Sequence, residues 1–284
     1  MGGELTSYPI VPAFEDDIRE RAACLRDHGV VPTLAVIRNN RGEGGSDKYF
    51  EKKVGLAKDL GLMVLAVSVF DGDELAPYVE VYNDNPRVHG ILTEHPSTST
   101  PEDDAAVRRV INRYKDVDGS AKDSYFPANT PSAICRFLKG NGIDYEGSRV
   151  GIFGRGRVGG RLTTLMKNQG ARVSTIDKGA SEQRVRRALA GCRIIVSAAG
   201  AHNDTLTEAR LKHVSTEGLV VVDVGWSTHN DKLVPDVPDC VREAVIEGGG
   251  FVSAKFGSVG PLATRGVMKN VVTAAERIAM RSAA

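Results

Sequence analysis

Short apolar runs alternate with amphipathic segments along almost the whole chain. The apolar runs predict strands at residues 33–38, 63–69, 90–93, 149–153, 172–176, 193–198, 218–224 and 250–254. The segments between them have helical spacing, and the one that begins near residue 46 stops at Gly61, as expected for a C-terminal glycine cap. Strands that alternate with helices are typical of α/β proteins with mostly parallel sheets, and we predict this fold class.

The stretch 148–177 carries the most specific motif of the chain. An apolar run enters a glycine-rich turn, a helical segment and a second apolar run follow, and the second run ends at Asp177. In such a unit Gly154 permits the tight turn, Gly156 lets the backbone approach a pyrophosphate, and Gly159 allows close helix–strand packing. Asp177 stands about twenty residues beyond Gly156, where an acid reaches the adenosine ribose. The motif predicts a dinucleotide site; the alternative is a Rossmann-like domain whose glycines only make a tight turn.

The residues around this turn bear on the choice of cofactor in opposite ways. The Asp177 carboxylate can accept hydrogen bonds from ribose hydroxyls and would repel a 2′-phosphate, which favours NAD. Arg155, Arg157 and Lys178 carry positive charge that could pair with that phosphate, which favours NADP. We predict NAD, with NADP as the alternative. The residues predicted to bind the cofactor are Gly154, Arg155, Gly156, Arg157, Val158, Gly159, Asp177, Ala199, Gly200 and Gly225.

The pattern divides the chain into two domains near residues 120–145, where SAKDSYFPANTP looks like a loop before a helix. We predict an N-terminal α/β substrate domain at 1–130 and a C-terminal Rossmann-type NAD(P)-binding domain at 131–260. A last helix, within 261–284, follows the turn FGSVGP and is expected to return to the first domain. Ligands of such folds bind at the carboxyl ends of strands, so we expect a cleft between the domains that faces the nicotinamide.

The composition excludes several classes of protein. A net charge of +1 with 26% charged residues gives no support for binding to nucleic acid or to a membrane surface. No apolar run approaches the roughly 20 residues that span a bilayer, and no signal peptide is evident, so we expect a cytoplasmic enzyme. The four cysteines are scattered without a CxxC pair, which predicts buried thiols and no metal site.

Polar side chains of the predicted first domain stand where such folds bind ligands. Tyr49 and Lys53 are four residues apart in a helical segment and therefore share a face. Glu94 follows the apolar strand GILT, at the carboxyl end where α/β folds expose functional groups. Asp118 lies in the turn-like KDVDG, where its carboxylate could accept hydrogen bonds from an amidine-like edge. Taken alone, Tyr49 and Lys53 would be an ordinary helix pair and Asp118 an ordinary turn acid.

The motifs of the chain resemble, in type and order, those of the methylenetetrahydrofolate dehydrogenase/cyclohydrolase family. They are Y-x-x-x-K, GIL-x-x-x-P, KDVDG, TP, the glycine-rich turn, VVDVG and G-x-VGP, and the match runs from about Thr33 to the last helix. The resemblance implies a folate-binding domain, a Rossmann domain and a homodimer. It also implies an enzyme that oxidises 5,10-methylenetetrahydrofolate by hydride transfer to a nicotinamide and, in many members, hydrolyses the methenyl product.

The resemblance further implies roles for individual residues. Tyr49 would stack on the aromatic region of the folate, and Lys53 would be the central catalytic lysine, near the one-carbon bridge. Asp118 would bind the amino edge of the pterin. With Glu94, these residues form the predicted catalytic set. The border of the folate and nicotinamide pockets would be formed by Gly257, Gly260 and Pro261.

One departure from the family concerns the hydrolysis step. Where the family usually has glutamine in GIL-x-QLP, this chain has Glu94. That glutamine is thought to position and activate the lysine for hydrolysis, whereas a carboxylate would pair with Lys53 and favour its charged form. We therefore predict that cyclohydrolase activity is weak or absent. The opposite interpretation is that Glu94 acts as a general base on a different substrate.

The folate-facing loops also depart from the family. Its PGGVGP is FGSVGP in this chain, and its TP-x-G is TPSA, so Phe256 and Ser258 could reshape the pocket near the p-aminobenzoyl region. Trp226, which follows VVDVG, is predicted to serve packing, although it could lie near the nicotinamide. Two alternatives therefore stay open: a specialised paralogue that acts on another pterin-like or cyclic-amine substrate, or a non-catalytic nucleotide-binding paralogue.

Overall fold

The computed structural model describes residues 2–40, 45–70, 74–93, 101–200, 205–229 and 232–282. In chain order the strands are β1 (Gly3–Leu5), β2 (Thr33–Asn40), β3 (Met63–Phe70), β4 (Gly90–Thr93), β5 (Arg149–Phe153), β6 (Arg172–Ile176), β7 (Ile194–Ser197), β8 (Val220–Asp223), β9 (Trp226–His229), β10 (Lys232–Pro235) and β11 (Phe251–Ser253). The helices are α1 (Val11–Asp27), α2 (Gly45–Asp59), α3 (Ala76–Asp84), α4 (Pro101–Val110), α5 (Asn129–Gly140), α6 (Arg157–Asn168), α7 (Glu182–Leu189), α8 (Glu208–Leu211), α9 (Asp239–Glu247) and α10 (Val259–Ser282).

The chain packs into two compact units. The six-stranded unit consists of Met1–Val11 and Thr130–Ala263, and the three-stranded unit consists of Pro12–Asn129 and Thr264–Ala284. The predicted domains place the first eleven residues with the substrate domain, whereas in the structure these residues pack with the six-stranded unit, because β1 pairs in parallel with β11. A strand of three residues is too short to show a periodic pattern, and its partner lies near the other end of the chain.

The six-stranded sheet is parallel throughout, in the order β1-β11-β8-β7-β5-β6. Every residue of β7 and β8 is buried, as expected for central parallel strands that are covered on both faces. Strand β6 lies on one side of β5 and β7 lies on the other, so the connections leave β5 in opposite directions. Open parallel sheets bind ligands at such a switch point, at the carboxyl ends of the strands.

The three-stranded sheet is also parallel, in the order β3-β2-β4. Helix α10 packs closely on this unit, since a Cβ atom on Gly90 would lie only 2.8 Å from Cγ2 of Val271. The side-chain amide of Asn270 donates a hydrogen bond of 2.8 Å to the carbonyl oxygen of Val117. The predicted α/β class and the return of the C-terminal helix to the first domain are therefore confirmed.

The short antiparallel hairpin of β9 and β10 is an element that the apolar pattern does not predict. Its polar and apolar residues follow no regular alternation, and the pairing joins strands of four residues each.

The end of α2 agrees with its predicted cap, because the N–H of Gly61 donates to the carbonyl oxygen of Lys58.

The cysteines differ from the prediction of buried thiols. Cys135 and Cys192 are buried, whereas Cys24 and Cys240 are exposed. Within the described ranges, no three side chains of His, Cys, Asp or Glu come together in a way that could hold a metal ion. Among the described helices, none has both the length and the apolar character needed to cross a membrane.

Candidate active site

Two glycines of the turn after β5 are required by close packing. Gly154 has φ of +96°, a conformation that other residues rarely adopt, and a Cβ there would lie 2.5 Å from the carbonyl oxygen of Ala198. A Cβ on Gly159 would lie 2.2 Å from the carbonyl oxygen of Gly154. Side chains at these places would therefore push apart β5, α6 and the segment that follows β7.

Gly156 leaves open space instead. It is the N-cap residue of α6, and no side chain caps this helix end. Apart from the adjacent residues of the chain, no described residue has an atom within 4 Å of a Cβ built on it. The first N–H groups of a helix have no partner within the helix and carry partial positive charge. The turn therefore has both the backbone donors and the room that a phosphate group needs.

The turn borders a cavity of about 760 Å³ at the carboxyl ends of β5, β6 and β7. This volume lies within the range of small-molecule sites. The predicted cofactor residues that line the cavity are Gly154, Arg155, Gly156, Asp177, Ala199 and Gly200. The predicted residues that do not line it are Arg157, Val158, Gly159 and Gly225. Lining residues that the sequence pattern did not single out include Gly179, Thr205 and Arg210.

Asp177 follows β6 and has one engaged and one unengaged carboxylate oxygen. Its Oδ2 lies 3.2 Å from Nη1 of Arg155 and 3.7 Å from Nη2 of Arg184. Its Oδ1 is buried and has no hydrogen-bond partner in the described part of the chain. A buried acceptor without a donor is unfavourable, and a ribose hydroxyl would supply the missing donor. The residues present therefore fit the adenosine half of a dinucleotide.

Asp236 supports the wall of the cavity, and the sequence pattern missed it. It is fully buried, and its Oδ2 accepts hydrogen bonds from the hydroxyl of Ser197 at 2.9 Å and from the N–H groups of Ala199 and Gly200 at 2.8 and 3.1 Å. The carboxylate thereby fixes the loop that forms one wall of the cavity. No sequence signal marks this residue, because it lies between the hairpin and α9, far along the chain from the loop it holds.

Gly225 packs directly against the Asp236 carboxylate. A Cβ on Gly225 would lie 1.8 Å from Oδ2 of Asp236, so only glycine leaves room for that carboxylate. The N–H of Asp236 also donates to the carbonyl oxygen of Gly225 at 3.0 Å. The structure thus gives Gly225 a contact with Asp236, while the direct cofactor contact stays a prediction.

The acid of the VVDVG motif is also held inside the protein. Burial raises the pKa of Asp223 to about 7, and the neighbouring Asp236 carboxylate acts in the same direction. The N–H of Val237 donates to Oδ2 of Asp223 at 3.0 Å, and the charge of Arg242 partly opposes the shift. This acid therefore belongs to the interior below the cavity, and it does not line it.

The predicted catalytic residues of the three-stranded unit are described only in part. Lys53 lies in α2, and its side chain is half-buried. Tyr49 lies one turn earlier in the same helix, but its side chain is outside the described residues. Glu94, the residue after β4, is outside them altogether. The pairing of Lys53 with Glu94 therefore stays a prediction.

In KDVDG, the lysine and the first aspartate have structural partners. The Lys115 ammonium is buried and donates to the carbonyl oxygens at the end of α3, those of Tyr82, Asn83 and Asn85, at 2.7–3.0 Å. Asp116 is fully buried and accepts hydrogen bonds from the N–H and hydroxyl of Ser120, both at 3.0 Å, and from the N–H of Ala121 at 2.7 Å. The two residues thereby anchor and shape the loop.

Asp118 is the more accessible acid of this motif. Its side chain is half-buried, and its carbonyl oxygen accepts a hydrogen bond from the N–H of Asn129 at 3.0 Å. The next residue, Gly119, approaches the backbone so closely that a Cβ would lie 2.5 Å from the carbonyl oxygen of Pro127. The loop therefore holds Asp118 in a defined place, and the predicted contact with a pterin stays a prediction.

The loop FGSVGP is fastened within the six-stranded unit. The N–H and hydroxyl of Ser7 both donate to the carbonyl oxygen of Gly257, at 2.7 and 2.9 Å. Ser258 is buried, whereas Phe256 is 77% exposed, so of these two substitutions only Phe256 has a side chain that is open to solvent. The predicted Gly260 and Pro261 form the first turn of α10, directly after this loop.

Comparisons with known proteins agree with this arrangement over most of the chain. Residues 5–118 match the family model for the tetrahydrofolate dehydrogenase/cyclohydrolase catalytic domain, and residues 128–279 match the model for the NAD(P)-binding domain of the same family. Among similar proteins, bifunctional protein FolD 2 of Myxococcus xanthus is 32% identical and the alignment covers 88% of each chain. The bifunctional protein FolD of Delftia acidovorans is 30% identical, with 93% of this chain and 94% of the relative covered.

A solved structure has the same architecture. The bifunctional FolD methylenetetrahydrofolate dehydrogenase/cyclohydrolase of Campylobacter jejuni superposes with a TM-score of 0.85 at 25% identity. The superposition covers 97% of this chain and 99% of the other. The similarity therefore extends over both units.

Proposed function

Because this chain belongs to the tetrahydrofolate dehydrogenase/cyclohydrolase family, we propose that it oxidises 5,10-methylenetetrahydrofolate to 5,10-methenyltetrahydrofolate with NAD. The nicotinamide, when bound, supplies the hydride acceptor. The observation that carries the choice of NAD is the buried, unpartnered Oδ1 of Asp177 beside the open space at Gly156. The Asp177 carboxylate would accept a hydrogen bond from the ribose, and the space at Gly156 would admit the pyrophosphate.

The arginine contacts of Asp177 support the same choice. Its positive charge made Arg155 a candidate partner for a 2′-phosphate, but this guanidinium lies beside the Asp177 carboxylate. A phosphate that approached Arg155 would also approach that carboxylate, and the two anions would repel each other. NADP stays the alternative, because Arg155 and Arg184 are both more than half exposed and can move.

For the three-stranded unit we carry over the roles that the resemblance implies. Lys53 would polarise or protonate the substrate near its one-carbon bridge, Tyr49 would stack on the folate, and Asp118 would hold the amino edge of the pterin. Loss of a hydride leaves an iminium-like cation, so the protein must chiefly orient the reactants and stabilise the developing charge. A half-buried lysine on a helix and an acid on a fastened loop meet this need for fixed groups.

We also propose that hydrolysis of the methenyl product is weak, because Glu94 replaces the glutamine of the family. The test measures disappearance of methenyltetrahydrofolate with the unaltered protein and with Glu94→Gln. Faster hydrolysis by the variant, with dehydrogenase activity retained, would support the proposal. Rapid hydrolysis by the unaltered protein would contradict it.

A change of substrate is the second candidate function, and the exposed Phe256 favours it. A large aromatic side chain at the edge of the predicted folate pocket would alter which ring systems fit. The substrate would then be another pterin-like or cyclic-amine compound. The non-catalytic alternative predicts that the protein binds a dinucleotide but turns over neither 5,10-methylenetetrahydrofolate nor a pterin-like or cyclic-amine compound.

The deciding experiment is a spectrophotometric assay with 5,10-methylenetetrahydrofolate, run separately with NAD and NADP. Absorbance is followed at the bands of the reduced nicotinamide and of the methenyl product. Reduction of NAD with a persistent methenyl band would support a dehydrogenase with weak hydrolysis. Absence of reduction with either cofactor, together with measurable dinucleotide binding, would favour the other substrate or the non-catalytic alternative.

The oligomeric state is a separate proposal. The resemblance implies a homodimer, and sedimentation equilibrium of the purified protein tests this. A mass near 61 kDa, about twice the chain mass of 30.4 kDa, is expected. A mass of one chain at micromolar concentration would contradict it.

A further inference from the structure

Two aromatic side chains form a stacked pair at the carboxyl edge of the six-stranded sheet. Trp226 comes shortly after β8, and Phe256 lies in the loop after β11. Their ring centroids are 5.8 Å apart, and the ring planes are inclined by 28°. Trp226 is half-buried, whereas Phe256 is 77% exposed. This aromatic platform, Trp226 with Phe256, therefore presents an open aromatic face.

A third ring extends the same surface. Tyr8, after β1, is 66% exposed, and its ring lies against Gly257, where a Cβ would come within 2.7 Å of the hydroxyl oxygen. Among the described residues of this unit, Tyr8 and Phe256 are the exposed large apolar side chains. Tyr8 follows β1, and Phe256 follows β11, the strand that pairs with β1, so both belong to the carboxyl edge of the sheet, where this class of fold binds ligands.

The strand order places the aromatic platform in line with the cavity. Asp177 follows β6, Gly156 follows β5, Gly200 follows β7, and the platform residues follow β8 and β11. A dinucleotide with its adenosine ribose at Asp177 and its pyrophosphate at Gly156 would extend along this edge toward β8. The carbonyl oxygen of Trp226 lies 3.6 Å from where a Cβ on Gly200 would be, so the platform adjoins the wall of the cavity.

The chemistry of an exposed aromatic pair favours one form of the nicotinamide. The oxidised ring is planar and positively charged, whereas the reduced ring is neutral. The face of an aromatic ring carries negative potential and attracts a cation, most strongly when the ring is tryptophan. Two stacked rings thus favour the oxidised nicotinamide by charge as well as by contact.

We propose that the Trp226–Phe256 platform binds the nicotinamide ring and prefers its oxidised form to its reduced form. The inference rests on the proposed function, since it assumes a nicotinamide dinucleotide in the cavity. It goes further by assigning a specificity role to two residues outside the glycine motif. The platform then helps to keep the hydride acceptor, rather than its product, bound to the protein.

Isothermal titration of the whole protein with NAD⁺, NADH and ADP-ribose tests the proposal. ADP-ribose lacks the nicotinamide and reports only on the adenosine and pyrophosphate contacts. Phe256→Ala is expected to weaken NAD⁺ binding about fivefold, to weaken NADH binding less than about twofold and to leave ADP-ribose unaffected. Phe256→Leu keeps apolar area without an aromatic face and should behave like Phe256→Ala.

A matched control and a second readout are available. Phe70, at the end of β3 in the other unit, is also 77% exposed, and Phe70→Ala should leave all three affinities unchanged. Trp226 is the single tryptophan of the chain, so its fluorescence reports on the platform directly. NAD⁺ should quench it, and ADP-ribose should not.

The outcomes separate the proposal from the proposed function. An unchanged ratio of NAD⁺ to ADP-ribose affinity in Phe256→Ala would overturn the platform, as would equal losses for NAD⁺ and NADH. Failure of the unaltered protein to bind any of the three would overturn the proposed cofactor itself. Loss of all three affinities with a lowered melting temperature in Phe256→Ala would show that Phe256 supports the fold, which would also overturn the proposal.

Discussion

Two fully buried aspartates, one in each unit, each hold a loop in place by hydrogen bonds. In the six-stranded unit, Asp236 accepts hydrogen bonds from one hydroxyl and two backbone N–H groups at the wall of the cavity. In the three-stranded unit, Asp116 accepts the same set of hydrogen bonds in the loop that carries Asp118. The chemistry of the two sites is nearly identical.

The two sites differ in the sequence separation between the aspartate and its hydrogen-bond partners. The partners of Asp236 lie 36 to 39 residues away, whereas those of Asp116 lie four or five residues away. An acid of the Asp116 kind shapes its own turn, and sequence analysis marked that turn through KDVDG, although it singled out Asp118 and not Asp116. An acid of the Asp236 kind joins separate parts of the fold, so its mutation should affect both stability and ligand binding.

The largest effect is expected from Asp236→Ala. It removes the acceptor of the Ala199 and Gly200 N–H groups, and the Ser197 hydroxyl keeps only its contact with Thr205. The loss of a partner costs about 1–3 kcal/mol per group, so the free energy of unfolding should fall by about 3 kcal/mol. The loop at Ala199 and Gly200 loses its support, so dinucleotide affinity should fall as well. Urea denaturation and isothermal titration measure the two losses.

Asp116→Ala is the matched variant in the other unit. Its free energy of unfolding should also fall, but dinucleotide affinity should stay unchanged, because the loop it shapes carries Asp118. Equal losses of dinucleotide affinity in the two variants would contradict the distinction between a cavity-wall acid and a local turn acid.

Lys53→Met should separate chemistry from cofactor binding. Turnover is expected to fall by at least about 100-fold, in line with the usual contribution of a positioned acid or base. Dinucleotide affinity should stay the same, since Lys53 lies in the three-stranded unit and the cavity lies in the other. Parallel losses of turnover and of dinucleotide affinity would instead indicate a folding defect.

Gly156→Ala tests the space left for a phosphate. A methyl group there meets no described atom of the protein, so the melting temperature should stay unchanged. It would fill the predicted pyrophosphate position, and overpacking of this kind lowers affinity by about tenfold. Gly55→Ala, which also meets no described atom, is the control in the other unit and should leave affinity unaltered. A Gly156→Ala protein with full affinity would argue against the predicted position.

Asp177→Ser should shift the cofactor preference toward NADP by several-fold. It removes the carboxylate that repels a 2′-phosphate and releases Arg155, which then becomes available to pair with that phosphate. The measurement is the ratio of kcat/KM for NAD to that for NADP. An unaltered ratio would mean that the carboxylate does not reach the ribose.

The smallest effect is expected in the pH dependence of stability. Asp223 in the six-stranded unit and His89 in the three-stranded unit contribute to it with opposite signs. Asp223 has its pKa raised to about 7 by burial, so its folded form holds a proton that the unfolded chain releases above about pH 4. Its contribution to the free energy of unfolding therefore falls as pH rises from about 4 to 7. His89 has its pKa lowered to about 4, first by burial and then by the Lys115 charge, so its contribution rises with pH between about 4 and 6.5.

Each group alone contributes a slope of at most about 1.4 kcal/mol per pH unit. Asp223→Asn should therefore make the slope of stability against pH more positive across this window, because the falling contribution of Asp223 is removed. Urea denaturation at several pH values measures the slope. A slope that is the same in the variant and in the unaltered protein would contradict the assignment to Asp223.

The local elements of this protein were predictable because periodicity and turn chemistry are properties of neighbouring residues. The apolar runs predicted β5 and β6 at their observed bounds, and the helix before Gly61 ends as its glycine indicates. Of the residues predicted to bind the cofactor, six line the cavity, and three of these, Gly154, Arg155 and Gly156, belong to the glycine-rich turn. In KDVDG, the pattern singled out Asp118, and the structure shows the neighbouring Asp116 shaping the same turn.

The tertiary structure alone decided the contacts between distant segments. The pairing of β1 with β11, the hold of Asp236 on the cavity wall and the stacking of Trp226 on Phe256 join residues that no local pattern relates. Gly225 illustrates the difference, since its place in VVDVG marked it, but the carboxylate that requires it arrives from after the hairpin. Sequence determines such contacts only through the whole path of the chain, because burial and hydrogen bonding are satisfied by whichever groups the fold brings together.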